Sequence, residues 1–155
     1  MIKLTPNRLR HLLNFFPPYL GAGVKIESIS EDWRELHVSM KLRWYNRNIV
    51  GTHFGGSLFS MIDPHFMLML MPLLGKEYWV WDKSANIEFI KASKQKVTAI
   101  FNISDDELED IRLNTSQGEK YLPTFTVEIR DENNDLVAKA TKTIYVKKKP
   151  AKTAI

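Results

Sequence analysis

The stretch from Gly55 to about Leu74 constrains this chain more than any other, because it is apolar on nearly every side. A helix of that kind has to be enclosed by other elements rather than laid on a surface. Its apolar run, Leu58 to Leu74, carries Asp63, Pro64, His65 and Pro72. It also falls short of the ~20 apolar residues that a membrane span needs. The expectation is a central buried helix and no membrane span. Pro64 removes one backbone donor and presses on the Ser60 carbonyl, so the helix should kink or break near Asp63.

The flanking segments supply an enclosure. Thr5 to Phe16 reads as an amphipathic helix, with Thr5 as cap, Pro6 at its first position, and Leu9, Leu12, Leu13 and Phe16 on one face. Pro17-Pro18 should end it, with Gly21 and Gly23 as a flexible joint. Val24–Ile29 and Glu35–Leu42 alternate as a strand hairpin, and Arg43–His53 has no period and reads as a loop. After Gly75, Tyr78–Ile90 and Lys96–Ile103 are rich in strand formers, with Ser104 capping an acidic helical segment, Asp105–Arg112. Tyr121–Arg130 and Leu136–Lys147 close the chain as a hairpin. Six antiparallel strands around one apolar helix give an α+β class.

The 155 residues suit one domain, 1–155, with an N-terminal helix in 1–20 and a basic tail in 147–155. The absence of cysteine excludes a disulfide framework and a thiol nucleophile, and fits a reducing, cytoplasmic setting. No signal peptide is read at the N-terminus. The net charge of +4 lies largely in Lys147, Lys148, Lys149 and Lys152, which read as a solvated tail. No aromatic-basic or helix-turn-helix pattern favours nucleic acid as a partner. His11, His37, His53 and His65 lack ligand spacing, so no metal is expected.

The functional signal lies at the start of the central helix, in Gly51-Thr52-His53-Phe54-Gly55-Gly56-Ser57. Glycines there allow close approach of a ligand, while the first unpaired N–H groups point outward, as a developing thioester oxyanion requires. Gly56 and Asp63 are seven residues apart, about two helical turns, and should share a face. A carboxylate there can act as a base on water or attack a carbonyl. The alternative for Asp63 is a structural hydrogen bond, and for Asn48 and His53 it is loop structure. Tyr78, Trp79 and Trp81 fit core or interface better than an acyl tunnel.

The stretch Asn48 to Asp63 resembles the loop and central helix of hotdog-fold thioesterases of the phenylacetate-degradation type. Asn48, Gly55, Gly56, Leu58, Phe59 and Asp63 fall on that family's positions. It is still more similar to an uncharacterised hotdog branch with Gly-Thr-x-Phe-Gly-Gly-Ser followed by Asp-Pro. Leu74-Gly75, Tyr78–Lys83 and Ala140–Val146 also resemble that branch. The resemblance implies a hotdog fold, a curved antiparallel sheet wrapped around a long central helix. It implies hydrolysis of an acyl thioester, with Asp63, Gly55, Gly56 and Asn48 as catalytic residues. His53, Phe54, Ser57, Lys91 and Lys94 would contact the substrate, the lysines meeting coenzyme A phosphates. No cofactor is implied beyond coenzyme A as part of the substrate. The site would be shared in a homodimer or homotetramer. Phe54 stands where the family has His, and Met67 where it often has Ser or Thr. The alternatives are acyl-thioester dehydration or hydration, with His53 and Asp63 as the pair, and a non-catalytic acyl-CoA or lipid binder.

Overall fold

The computed structural model describes residues 4–150. Thr5 accepts from the Arg8 N–H and Pro6 takes the first helical position, so α1 (Pro6–Asn14) starts where its capping chemistry dictates. Its inward residues are Leu9 and Leu13. The helix stops at Asn14 instead of running on to Phe16. Pro17 and Pro18 begin a new helix, α2 (Pro17–Ala22), because prolines in a first turn lack only N–H groups that would be unpaired there. Gly21 lies inside α2, and Gly23 is its left-handed cap at φ 77°. The expected flexible joint is therefore a built helix stop.

Strands β1 (Val24–Ile29) and β2 (Glu35–Met40) pair antiparallel as expected. The central apolar stretch forms α3 (Gly55–Ser60) and α4 (His65–Leu74). Pro64, with no N–H to donate, divides them. Then come β3 (Tyr78–Phe89), β4 (Val97–Asn102), α5 (Asp105–Asn114), β5 (Lys120–Tyr121), β6 (Thr124–Asp131) and β7 (Leu136–Lys148). Ser104 and Glu107 form a reciprocal capping box at the start of α5. The basic tail begins later than its sequence suggests, since Lys147 and Lys148 pair with Trp79 and Tyr78 across β7 and β3. Residues 151–155, including Lys152, lie outside the described residues.

The seven strands form one antiparallel sheet in the order β1-β2-β4-β6-β7-β3, with the short β5 beside β7. β4 turns Val97, Ala99 and Phe101 inward, against α3 and α4. Phe66 anchors the contact, stacked on Phe125 at 4.7 Å and edge-on to Phe101 at 5.1 Å. Phe66→Ala would cost about 3–5 kcal/mol at so enclosed a position. Taken together, Gly55–Leu74 is long and apolar enough to cross a membrane by composition, yet its most apolar window is 50% buried inside the fold. That is the enclosure its all-round apolarity demands.

Among the described residues, β3 lies at one end of the sheet and pairs only with β7, so its outer edge is unpaired there. Trp79 and Trp81 stand partly exposed along it, and Trp81 stacks flat on Tyr145, with ring centroids 4.1 Å apart.

Candidate functional site

The loop before α3 is shaped by two asparagines. Asn46, almost wholly buried, donates to the carbonyls of Ala22 and Lys41 and accepts from the Arg43 N–H at 2.6 Å. Asn48 uses both ends of its amide: Oδ1 accepts from the Val50 and Thr52 N–H groups, and Nδ2 donates to Thr52 Oγ1 and the His53 carbonyl. Gly51, at φ 85°, supplies the left-handed residue that this tight turn needs.

The loop delivers the chain to α3 with its amides exposed. Ser57 and Leu58 donate to the Phe54 carbonyl, whereas the N–H groups of Gly55 and Gly56 meet no acceptor among the described residues. A methyl group on Gly55 would sit 3.0 Å from the Phe89 ring, and one on Gly56 would collide with the Phe54 ring. At both positions a side chain could enter only by displacing a neighbouring ring, Phe89 or Phe54, and neither glycine has a positive φ. A cleft of about 280 Å³ opens beside Gly55, lined by Asn48, Thr52, His53, Phe89 and Ser93 among others.

His53 is nearly buried, and its Nε2 lies 2.7 Å from the Gln95 carbonyl. That contact requires the proton on Nε2, which leaves buried Nδ1 as an unpartnered acceptor. Burial holds the imidazole below its ordinary pKa, against the pull of the Gln95 carbonyl.

The other end of α3 is built from charge. Lys142, on β7, is 1% exposed. Its ammonium donates to Asp63 Oδ1 at 2.5 Å and stands 2.8 Å from Asp82 Oδ1. The Asp82 oxygen is close but is the less well aligned acceptor of the two. Burial raises the Asp82 pKa, the charge of Asp63 adds to the rise, and Lys142 opposes it. Asp63 remains 45% exposed at its side chain.

Two further groups close this end. The Tyr19 hydroxyl donates to the Asp63 carbonyl at 2.5 Å and lies 3.4 Å from His65 Nε2. Burial raises the Tyr19 pKa, and the charges of Asp63 and Asp82 push the same way. His65 is fully buried against the rings of Tyr19 and Phe101, and burial pushes its pKa down to about 3.

The family model described as "Domain of unknown function (DUF4442)" matches residues 7–146. The chain belongs to that family. Among curated proteins, none matches this DUF4442 sequence significantly. Its fold matches a Pseudomonas aeruginosa protein designated a probable thioesterase, with TM-score 0.79, 16% identity, and 92% of this chain and 96% of that chain covered. A thioesterase from Haemophilus influenzae matches with TM-score 0.69, 16% identity, and 99% and 97% of the two chains covered. Thioesterase superfamily member 2 from Mus musculus matches with TM-score 0.63, 18% identity, and 94% and 98% covered. At these identities the likeness establishes the fold: this DUF4442 chain is a hotdog protein.

The structure brings part of the expected site together. Asn48, His53, Gly55 and Lys91 line one cleft. Asp63 does not line it, because α3 ends at Ser60 and the two-turn spacing from Gly56 is broken before it reaches Asp63. The expectation that Gly56 and Asp63 share a helical face is thus overturned by Pro64. Asn48 has its amide engaged within the loop and is a loop organiser, not a free partner for a carbonyl. Ser57 is buried away from the cleft, and Phe54, 53% exposed, covers Gly56. Lys91 pairs with Asp135, while Lys94 is exposed and does not line the cleft. Lys142 and Asp82 were not singled out by the sequence. A signal for Lys142 exists, however, since it interrupts the inward row Ala138, Ala140, Ile144, Val146 of β7.

Proposed function

We propose that this DUF4442 chain hydrolyses an acyl thioester at a site shared between two copies, with Asp63 of one acting on a carbonyl held in the cleft of the other. The observation that carries this reading is the placement of the two half-sites along β3. Asp82 lies in the first half of β3, Lys142 pairs opposite Ala85 near its middle, and Phe89, beside Gly55, is its last residue. Phe89 is seven steps along the strand from Asp82, roughly 23 Å. Within one chain Asp63 does not line the Gly55 cleft. The unpaired edge of β3 invites a second strand. Antiparallel pairing of two β3 strands about a two-fold axis reverses one against the other, setting each Asp63 end against the partner's cleft end.

In that arrangement the thioester oxygen accepts from the Gly55 and Gly56 N–H groups. Asp63 takes a proton from water, whose oxygen adds to the carbonyl. The tetrahedral adduct collapses with loss of the thiolate, which takes back the proton that Asp63 holds as the carboxylic acid is released. The designation of the Pseudomonas and Haemophilus proteins as thioesterases supports this reaction class. No step needs a metal or redox cofactor.

The test is thiol release from a panel of acyl-CoA esters by the parent protein and by Asp63→Asn. The variant should lose about 10²-fold or more, the scale of general-base assistance. Equal rates would end the assignment. The second reading is a non-catalytic acyl-CoA or lipid binder. It is favoured by the Phe54 ring over Gly56 and by the Lys142 pair that engages Asp63. Tight binding across the panel with no thiol released selects it. A dehydratase pairing of His53 with Asp63 is disfavoured, because the His53 Nε2–H is held by the Gln95 carbonyl.

A further inference from the structure

Lys142 stands where the fold asks for an apolar side chain. Its neighbours on the inward row of β7, Ala138, Ala140, Ile144 and Val146, are all buried. Removing an ammonium from water is unfavourable, and an apolar residue of the same length would fill the position without that penalty. The charge is therefore retained for what it touches. It touches two carboxylates from distant segments, one at the junction of α3 and α4 and one on β3.

The two contacts are unequal. Asp82 is the less exposed partner, with 23% of its side chain open, and it is the less well aligned acceptor. Asp63 receives the better aligned hydrogen bond and is the carboxylate that opens to solvent. One ammonium between two carboxylates leaves one negative charge uncompensated within the cluster, and His65 beside it is neutral. Tyr19 grips the Asp63 backbone carbonyl from the opposite side. Main chain and side chain of Asp63 are thus held by different elements, α2 and β7.

We propose that Lys142 is a positioning residue for the hydrolysis proposed above. It fixes the Asp63 carboxylate in a single rotamer facing the protein surface, with Asp82 anchoring the ammonium so that it cannot swing away. One oxygen of Asp63 is held by Lys142, and the other is left for water. The inference rests on the reading of Asp63 as the acting base, although its structural half can be measured without turnover.

The experiment uses the full chain with Lys142→Met, which keeps length and apolar reach, and Asp82→Asn, which leaves the Asp63 pair in place. Three-bond couplings across the Asp63 Cα–Cβ bond report its rotamer in each protein. The expected result is one rotamer in the parent and averaging in Lys142→Met. The companion measurement is turnover of the best thioester, normalised to folded protein. Lys142→Met should lower kcat by about 10²-fold with KM changed less than about twofold, and Asp82→Asn should lower kcat by about tenfold. A merely structural lysine would reduce the folded fraction but leave kcat per folded molecule and the Asp63 rotamer unchanged, which overturns the proposal. Should Lys142→Met not fold, Asp82→Asn alone decides: an unmoved rotamer and kcat reject the anchoring role. A parent that releases no thiol defeats the hydrolytic reading, while the couplings still decide whether Lys142 positions Asp63.

Discussion

The two ends of α3 solve opposite problems with different materials. At its start, Gly55 and Gly56 leave neutral amides unpaired beside a cleft, and the surrounding loop satisfies itself through Asn46 and Asn48. Beyond its end, Lys142, Asp63 and Asp82 put formal charges under the sheet, with Tyr19 and His65 packed alongside. The first end can stabilise a charge that develops on a ligand; the second already carries charge and can deliver it. Each lacks what the other has, and Asp63 does not line the cleft beside Gly55. Reactivity in this fold is therefore an expected property of an assembly.

The largest effect expected from this contrast is a complementation. Asp63→Asn and Gly56→Val should each lose about 10²-fold or more of the thioester hydrolysis. Mixed after co-refolding, they should recover about a quarter of the parent activity, because half the dimers are hybrids with one intact site. Recovery that stays at the level of the separate variants would place both half-sites in one chain and break the comparison.

Next in size is a stability effect confined to the charged end. Lys142→Ala leaves two carboxylates facing each other over a cavity and should lower unfolding free energy by about 3–5 kcal/mol in urea titrations. A loss below about 1 kcal/mol would mean that solvent at the half-open Asp63 side screens the cluster enough to make the Lys142 charge dispensable for stability.

A pH series separates the ends further. His65 is pushed down to about 3 in the folded chain, below the ordinary 6.5. The unfolded chain therefore binds the extra proton first, so stability is full above pH 6.5 and falls as pH drops from there toward 3. Between pH 7 and pH 5 the loss should be about 2 kcal/mol, and His65→Phe should remove most of it. A parent curve that is flat across that window would contradict the burial of a neutral His65. His53 shifts in the same direction and adds to the slope.

The smallest effect belongs to His53→Ala. With Nε2–H engaged by Gln95, the ring is not placed as an acid, and thioester turnover should fall by less than about tenfold. A loss matching that of Asp63→Asn in steady-state assays would restore the histidine–aspartate pairing of a dehydratase.

What could be read from the sequence was local. The caps at Thr5 and Ser104, the alternation in β1, β2, β4 and β7, and the enclosure of Gly55–Leu74 all follow from neighbours in the chain. Pro17-Pro18 misled because the same dipeptide that ends one helix suits the start of the next. The spacing from Gly56 to Asp63 misled for a related reason: counting along a helix assumes the helix continues, and Pro64 stops it. The ammonium that meets Asp63 comes from 79 residues downstream, a pairing that no periodicity encodes. Only the break in the apolar row of β7 hinted that Lys142 faces inward.

The flat stack of Trp81 on Tyr145 has a practical consequence. It places an indole beside the free edge of β3, with 45% of its surface open. Indole emission shifts to shorter wavelength as water is withdrawn, so a second copy closing on that edge would register in the intrinsic fluorescence of the unlabelled protein. Trp44, 81% exposed on the loop before α3, provides a red-shifted background. Dilution through the association constant should move the emission maximum toward that background, and Trp81→Phe should abolish most of the movement. The chain thus carries its own optical gauge of self-association, at the edge where the two half-sites would meet.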